Sequence, residues 1–307
     1  MMKYYLLVIS TCLFWAGSFI VGKVLVTDTT PIALTILRWG IVVICLIPLV
    51  YWREKTILPS KKALFPLIIM GATGVLLFNL FQFQALQQTT ASNVGLIATL
   101  NMVSIAICSA IFLGERINRY QIFSMALALF GVLIVLVKGD VMALLQLQFY
   151  KGDLWMVAAV CMWGVYTVSS KWAMRYVTPF MATLYAGVFG LLFAIPFSIR
   201  SFSIGEITVG FVAGILYIGV FATVICTIFW NIGVQKLGAT TAGVFLNYNA
   251  LFIALLAFIF LGEAITILQV VGSLLAMTGC YLFARFAKRN EGMNTNLKKT
   301  VTTYSTK

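Results

Sequence analysis

The chain has 307 residues, of which 62% are hydrophobic and 9% are charged. A soluble domain of this size could not expose such a composition to water without aggregating, so the sequence predicts an integral membrane protein. The formal net charge of +13 lies mostly in loops and in a basic tail, which indicates contact with anionic lipid and argues against a nucleic-acid partner. The sequence shows no cofactor motif, no metal-ligand spacing and no catalytic constellation, which argues against an enzyme.

Ten apolar stretches of about 20 residues, the length of a membrane-spanning helix, follow one another along the chain. The predicted spans are residues 4–24, 31–51, 64–83, 92–113, 119–137, 152–171, 180–200, 208–230, 240–260 and 267–286. Five spans fall in a first unit, residues 1–138, and five in a second unit, residues 152–286. Residues 139–151 form an outer connector, and the polar, basic residues 287–307 form a tail that we expect to be disordered.

The two units repeat each other without a gap at an offset of 148 residues, which places Trp15 on Trp163 and Asn101 on Asn249. An odd number of spans in each unit turns the second unit over in the membrane. The sequence therefore predicts an all-α membrane protein of ten helices in two inverted five-helix repeats, a layout typical of secondary transporters. With the N-terminus inside, 16 Lys and Arg residues lie on the inner side and four on the outer side, which predicts a plasma-membrane protein with both termini cytoplasmic.

Polar side chains within the spans are the best guide to a site, because they are costly in lipid unless they face the bundle interior. They recur at matched positions in the first, third and fourth spans of both units, and aromatic residues accompany them. The candidate substrate-binding residues are Trp15, Ser18, Arg38, Asn79, Gln82, Asn101, Trp163, Tyr166, Trp230, Asn231 and Asn249. We predict that they line a central cavity. The alternative is that they form only interhelical hydrogen bonds and close-packed seams.

Asn249 and Arg38 each allow two interpretations. Asn247 and Asn249 lie about 200° apart on a helix, so one of them faces the cavity, and Asn249 is favoured because Asn101 matches it. Arg38 lies about 10 Å into the second span, where its charge needs a partner. It anchors an anionic group such as a substrate carboxylate, or it pairs with helix-end carbonyls or with Asp28.

The groups that are missing also inform the mechanism. The chain has no histidine, and its eight carboxylates fall in loops, in the tail or at span ends. A relay of protonatable side chains across the membrane is therefore not visible, which favours transport down the substrate's own gradient or coupling through backbone and cavity water.

Three short motifs carry a resemblance to a known family. They are Trp15-Ala16-Gly17-Ser18 with Trp163-Gly164, the pair Arg38-Trp39, and a Leu-Gly-Glu junction followed by Gln and Gly, which runs Leu113-Gly114-Glu115, Gln121, Gly131 and again Leu261-Gly262-Glu263, Gln269, Gly279. From the first span to about Arg285 the chain resembles the EamA-type permeases of the drug/metabolite transporter superfamily. The resemblance implies alternating access around a central cavity and export of amino acids or other small metabolites.

Two details qualify or extend this resemblance. Many relatives carry a proline near Met102 and Ala250, and this chain has none, so the resemblance does not establish a helix break there. We expect Glu115 and Glu263 to cap the helix that follows each of them.

The expected function is export of small neutral or zwitterionic metabolites, amino acids first among them. Aromatic walls with few charges suit such substrates. Export of lipophilic cationic drugs is the alternative within transport, and a non-transporting scaffold is the alternative outside it. The expected partners are a small-molecule substrate and the lipid bilayer, and the sequence leaves open whether the chain is a monomer or a homodimer.

Overall fold

The computed structural model describes residues 2–114, 117–136, 151–279, 281–283 and 285–286. All regular structure within these residues is helical. The helices are α1 Met2–Leu25, α2 Pro31–Glu54, α3 Lys61–Gln88, α4 Ala91–Leu113, α5 Arg119–Leu136, α6 Lys151–Ala173, α7 Pro179–Ser201, α8 Val209–Leu237, α9 Ala239–Phe245 continued by Asn247–Leu261, and α10 Ile267–Phe283.

Seven of these helices are long and apolar enough to cross a membrane, and α5, α9 and α10 are shorter apolar helices. A multi-pass all-α membrane protein is thus confirmed, whereas ten crossing helices stay a prediction. The helices α3 and α8 are longer than the predicted spans 64–83 and 208–230. A prediction from hydropathy ends a span where polar residues begin, although the helix can continue through them. The connector and the tail lie outside the described residues, apart from Lys151, which begins α6.

The helix ends follow local sequence chemistry. Pro31 and Pro179 are the first residues of α2 and α7, where a missing N–H costs nothing. Gly114 and Gly262 follow α4 and α9 in the left-handed conformation, with φ of 68° and 65°, which an L side chain rarely adopts. The Gly in each Leu-Gly-Glu junction is therefore a helix stop.

The expectation that Glu263 caps the following helix is wrong. In α10 the hydroxyl of Thr266 accepts from the Gln269 N–H, and the Gln269 side chain accepts from the Thr266 N–H, a reciprocal capping box. The Glu263 carboxylate accepts instead from the N–H groups of Ala91 and Ser92 in the first turn of α4. It can do so because α4 packs against α9. Glu115 lies outside the described residues.

Two π-helical segments interrupt α3 and α8 at matched positions, Gly71–Leu77 and Tyr217–Ile225. Shifting the first by 148 residues places it on 219–225. π-Helical turns leave backbone carbonyls away from their usual partners and occur frequently at functional sites. The fourth helix of each unit is also distorted without a proline, by a 3-10 turn at Ala98–Leu100 in α4 and by a break at Leu246 in α9.

The first helix of each unit packs against helices of the other unit. Helix α1 packs against α8 and α9, and its counterpart α6 packs against α3 and α4. The counterparts α2 and α7 run antiparallel, because Thr30, before α2, accepts from the backbone N–H of Ser203, after α7, and Thr178, before α7, donates to Glu54 at the end of α2. This arrangement gathers α1, α3, α4, α6, α8 and α9 around the centre of the bundle.

Candidate functional site

A small cavity of about 40 Å³ lies at the centre of the bundle. It is lined by nine of the eleven candidate residues: Trp15, Ser18, Arg38, Asn79, Gln82, Asn101, Trp163, Tyr166 and Asn249. Residues from α1, α2, α3, α4, α6 and α9 thus converge on one place although they are spread over more than 230 positions of the chain. A cavity of this size holds about one water molecule and is too small for a metabolite.

Two candidates do not line the cavity, which corrects the prediction of their placement. Trp230 is fully buried behind the wall, with its ring 5.7 Å from that of Trp15. Asn231 lies further along α8, where its amide donates to the Thr183 hydroxyl at 2.9 Å and to the Tyr166 hydroxyl at 3.5 Å. Both residues support wall residues from behind. Their distance from the cavity could not be read from matched sequence positions, because it depends on how deep each helix packs.

Four aromatic rings form one side of the site around Trp163. Its ring centroid lies 5.4 Å from that of Trp15 in an edge-to-face arrangement, and 4.8 Å from those of Tyr166 and Phe78. The Trp15 indole donates to the Ala222 carbonyl in the π-helical segment of α8 at 2.7 Å, which fixes its orientation. The Trp163 indole nitrogen is buried and has no hydrogen-bond partner among the described residues. It is therefore a donor available to a ligand.

Arg38 is the only charged residue among the described residues that line the cavity, and it is buried, with 6% of its surface exposed. Its Nε donates to the Thr223 hydroxyl at 2.5 Å, and its Nη1 donates to the Asn79 side-chain oxygen at 2.9 Å. The alternative prediction, that Arg38 pairs with helix-end carbonyls or with Asp28, is therefore wrong. Both acceptors are neutral, so the guanidinium charge is not balanced by them, and the guanidinium has N–H groups beyond these two.

The partners of Arg38 connect it to both π-helical segments. The Asn79 amide donates to the carbonyls of Gly74 and Val75 at 2.9 Å each. The Thr223 hydroxyl donates to the Ile218 carbonyl at 2.7 Å. Arg38 is thus connected to the π-helical segment of α3 through Asn79 and to that of α8 through Thr223. A movement of either segment would be transmitted to the guanidinium.

Two buried hydrogen-bond acceptors also line the cavity. The side-chain oxygens of Asn101 and Asn249 are buried and have no hydrogen-bond partner within the described parts of the chain. An unpaired buried amide oxygen costs about 1–3 kcal/mol. These two oxygens can accept hydrogen bonds from a ligand, whereas Arg38 and Trp163 can donate them. No three His, Cys, Asp or Glu side chains among the described residues come together as metal ligands would.

The candidate set does not include six other residues of the wall, namely Phe19, Trp39, Gly74, Phe78, Thr227 and Leu246. It also omits Thr223, the partner of Arg38. Thr227 is the register partner of Asn79, and Thr223 precedes it by one helical turn, so the polar stripe on α8 was a usable signal. The apolar residues carried none, because nothing distinguishes them from lipid-facing neighbours.

Replacement of Thr223 by valine tests the link to the π-helical segment. The change keeps the shape but removes the acceptor of the Arg38 Nε, so we expect the maximal transport rate to fall about tenfold, the equivalent of about 1.5 kcal/mol. The matched control is Thr73→Val in α3, because the Thr73 hydroxyl donates only along its own helix, to Ile69. Equal rates for the two variants, measured in proteoliposomes, would contradict the link.

A larger groove of about 1300 Å³ lies between α1, α8 and α9, and none of the eleven candidates lines it. Its walls are mostly apolar and continue onto exposed side chains such as Val24 and Phe260. The charged residues Asp28 and Glu206 lie at one end of it. The groove therefore has the character of a lipid-facing surface, and the convergent polar groups identify the smaller central cavity as the candidate site.

Comparison with known proteins decides the family. The model of the EamA-like transporter family matches residues 2–137 and again residues 150–285. The chain belongs to the EamA-like transporter family.

Individual relatives agree with this assignment. An uncharacterized transporter of Archaeoglobus fulgidus is 30% identical over 288 residues, covering 91% of this chain and 96% of the relative. The uncharacterized transporter YyaM of Bacillus subtilis is 26% identical over 279 residues, covering 90% and 91%. A relative in Streptantibioticus cattleyicolor, named a probable terminal-alkyne amino-acid exporter, is 25% identical over 231 residues, covering 74% and 75%.

A solved crystal structure has the same fold. It superposes with a TM-score of 0.68 at 20% sequence identity, covering 95% of this chain and 99% of the other. This likeness shows the fold alone. Together with the family, it makes the chain a multi-pass membrane protein of a transporter family.

Proposed function

We propose that this EamA-family member is a secondary transporter that exports amino acids or closely related zwitterionic metabolites by alternating access around the central cavity. The observation that carries the proposal is the wall itself: a buried arginine with neutral partners, two buried amide oxygens without partners, and a cluster of aromatic rings. Each group corresponds to one part of an amino acid.

The polar groups pair with a zwitterion by elementary chemistry. The N–H groups of Arg38 other than those that donate to Thr223 and Asn79 suit a carboxylate, which a guanidinium binds with matched geometry. The oxygens of Asn101 and Asn249 accept from an ammonium group, and the face of Trp163 attracts the same cation. A ligand with only a carboxylate would leave both amide oxygens unpaired. A cation without a carboxylate would meet the charge of Arg38, which disfavours the lipophilic-cation alternative.

Alternating access follows from the size of the cavity. An amino acid does not fit in about 40 Å³, so the helices around the cavity have to separate to admit one. The proposal includes two inverted five-helix repeats, which are supported by the antiparallel pair α2 and α7 and by the matched π-helical segments. It also includes a plasma-membrane location with both termini cytoplasmic, and the distribution of Lys and Arg supports the orientation of the termini.

Export is supported by the relative that is named an amino-acid exporter. The chain has no histidine, and no carboxylate occurs among the described residues of the cavity wall, so the proposed transport runs down the substrate's own gradient.

The test is an efflux assay in proteoliposomes loaded with a mixed pool of amino acids, nucleosides and cationic dyes. Mass spectrometry then follows which compounds leave faster than from liposomes without protein. Selective loss of amino acids is the expected result. Selective loss of the dyes would establish cationic-drug export instead. If no compound leaves faster, with or without an imposed ion gradient or an exchange partner outside, the scaffold alternative replaces the proposal.

A further inference from the structure

The turn between α3 and α4 is held from two sides by charged side chains of other helices. The Lys23 ammonium of α1 donates to the carbonyls of Leu86 and Thr89 at 2.6 and 2.7 Å. The Glu263 carboxylate, just after α9, accepts from the N–H of Ala91 at 2.9 Å and from the N–H and hydroxyl of Ser92 at 3.0 and 2.6 Å. Five hydrogen bonds, each involving a charged group, therefore tie residues 86–92 to α1 and α9.

Helix capping alone does not account for Glu263. The first turn of α4 already has a local cap, because the Thr90 hydroxyl accepts from the Asn93 N–H. Glu263 belongs to the other sequence unit and adds a second cap across the interface between the units. Its three bonds are made or lost together if α9 moves away from α4.

The tied helices are those that carry the site. Helix α1 supplies Trp15, α3 supplies Gln82, α4 supplies Asn101 and α9 supplies Asn249 to the cavity wall. Between the cavity and the turn, α4 and α9 are in close contact, since a Cβ atom added to Gly95 would meet the side chain of Ile253. A path from this end of the bundle to the cavity that passes between α4 and α9 requires the two helices to separate, which breaks the bonds of Glu263.

We propose that Lys23 and Glu263 form a latch that closes the cavity at the end of the bundle that carries Lys23, residues 86–92 and Glu263, here named the Glu263 end. The latch opens and re-forms once in each transport cycle. This inference rests on the proposed alternating access but not on the identity of the substrate. It assigns a function to the Leu-Gly-Glu junction: the glycine ends α9, and the glutamate holds the opposite unit.

A buried cysteine reports whether the Glu263 end is open. Val94 is fully buried in α4, one turn beyond the latch, so Val94→Cys in a chain whose native cysteines are replaced by alanine gives one reporter thiol. A membrane-impermeant maleimide is added from either side of proteoliposomes without any substrate. We expect Glu263→Gln to raise the labelling rate at least fivefold from the Glu263 end and not from the opposite end.

The matched control is Glu206→Gln, an exposed carboxylate at the same end, which should leave the rate unchanged. Ser92→Ala removes only the hydroxyl bond and should give an intermediate rate, so the inference stays testable if Glu263→Gln does not fold. Labelling of Glu263→Gln at the rate of the parent would overturn the latch. An equal increase from both sides, together with a lower unfolding temperature, would also overturn it, because Glu263 would then only stabilise α4.

The experiment separates the latch from the proposed function. Faster labelling of Glu263→Gln from one side supports the latch even if the efflux assay finds no transported compound. Efflux of amino acids with unchanged labelling supports the transporter and overturns the latch.

Discussion

Replacement of Arg38 by methionine is expected to lower the transport of carboxylate-bearing substrates about 10- to 100-fold. The reason is that the guanidinium is charged and lines the cavity, and a hydrogen bond to a charged group contributes about 1.5–3 kcal/mol. Methionine keeps a long unbranched side chain but cannot donate. The measurement is the initial efflux rate from proteoliposomes for an amino acid and for the amine that lacks its carboxylate.

The comparison of these two substrates separates binding from positioning. If Arg38 binds the carboxylate, Arg38→Met lowers amino-acid transport and leaves the slower transport of the amine unchanged or faster. Arg38→Lys keeps the charge but cannot reach Thr223 and Asn79 with one planar group, so it should give an intermediate rate. An equal loss for both substrates would contradict carboxylate binding and would indicate that Arg38 only holds the π-helical segments together.

The second large effect is expected on stability, at the crossing of α5 and α10. A Cβ atom added to Gly131 would lie 2.5 Å from the carbonyl oxygen of Gly272 and 2.6 Å from the backbone nitrogen of Ala276. Backbone atoms cannot move aside as a flexible side chain can, so Gly131→Ala has to push the helices apart. We expect a loss of about 2 kcal/mol in the free energy of unfolding, the usual cost of overpacking, measured by thermal unfolding in lipid nanodiscs.

The same substitution elsewhere provides the controls. A Cβ atom at Gly40, within α2, meets no heavy atom within 4 Å, so Gly40→Ala should be neutral or slightly stabilising. Gly279 is the register partner of Gly131, and a Cβ there would meet the carbonyl oxygen of Ser124, so Gly279→Ala should cost as much as Gly131→Ala. If Gly131→Ala unfolds at the temperature of Gly40→Ala, the close crossing is not a source of stability.

Much of the molecule could be predicted from the sequence because the relevant patterns are one-dimensional. Hydropathy over about 20 residues predicted the helices, and the repeat at 148 residues predicted which helices correspond. Polar and aromatic positions within the predicted spans identified nine residues that the structure brings to one cavity, Asn249 among them. The predicted spans for α3 and α8 were too short because hydropathy does not detect the polar part of a helix that continues beyond the lipid.

Other features depend on which helices pack together, and only the tertiary structure decided them. Arg38 and Glu263 have long side chains whose possible partners lie on several neighbouring helices, so their sequence neighbours do not identify the bonds they make. The π-helical segments lie where α3 packs against α7 and where α8 packs against α2. The sequence alone thus determined a two-unit membrane protein and the residue types at its centre. The packing of the two units against each other decided which polar groups are already paired and which remain free for a ligand.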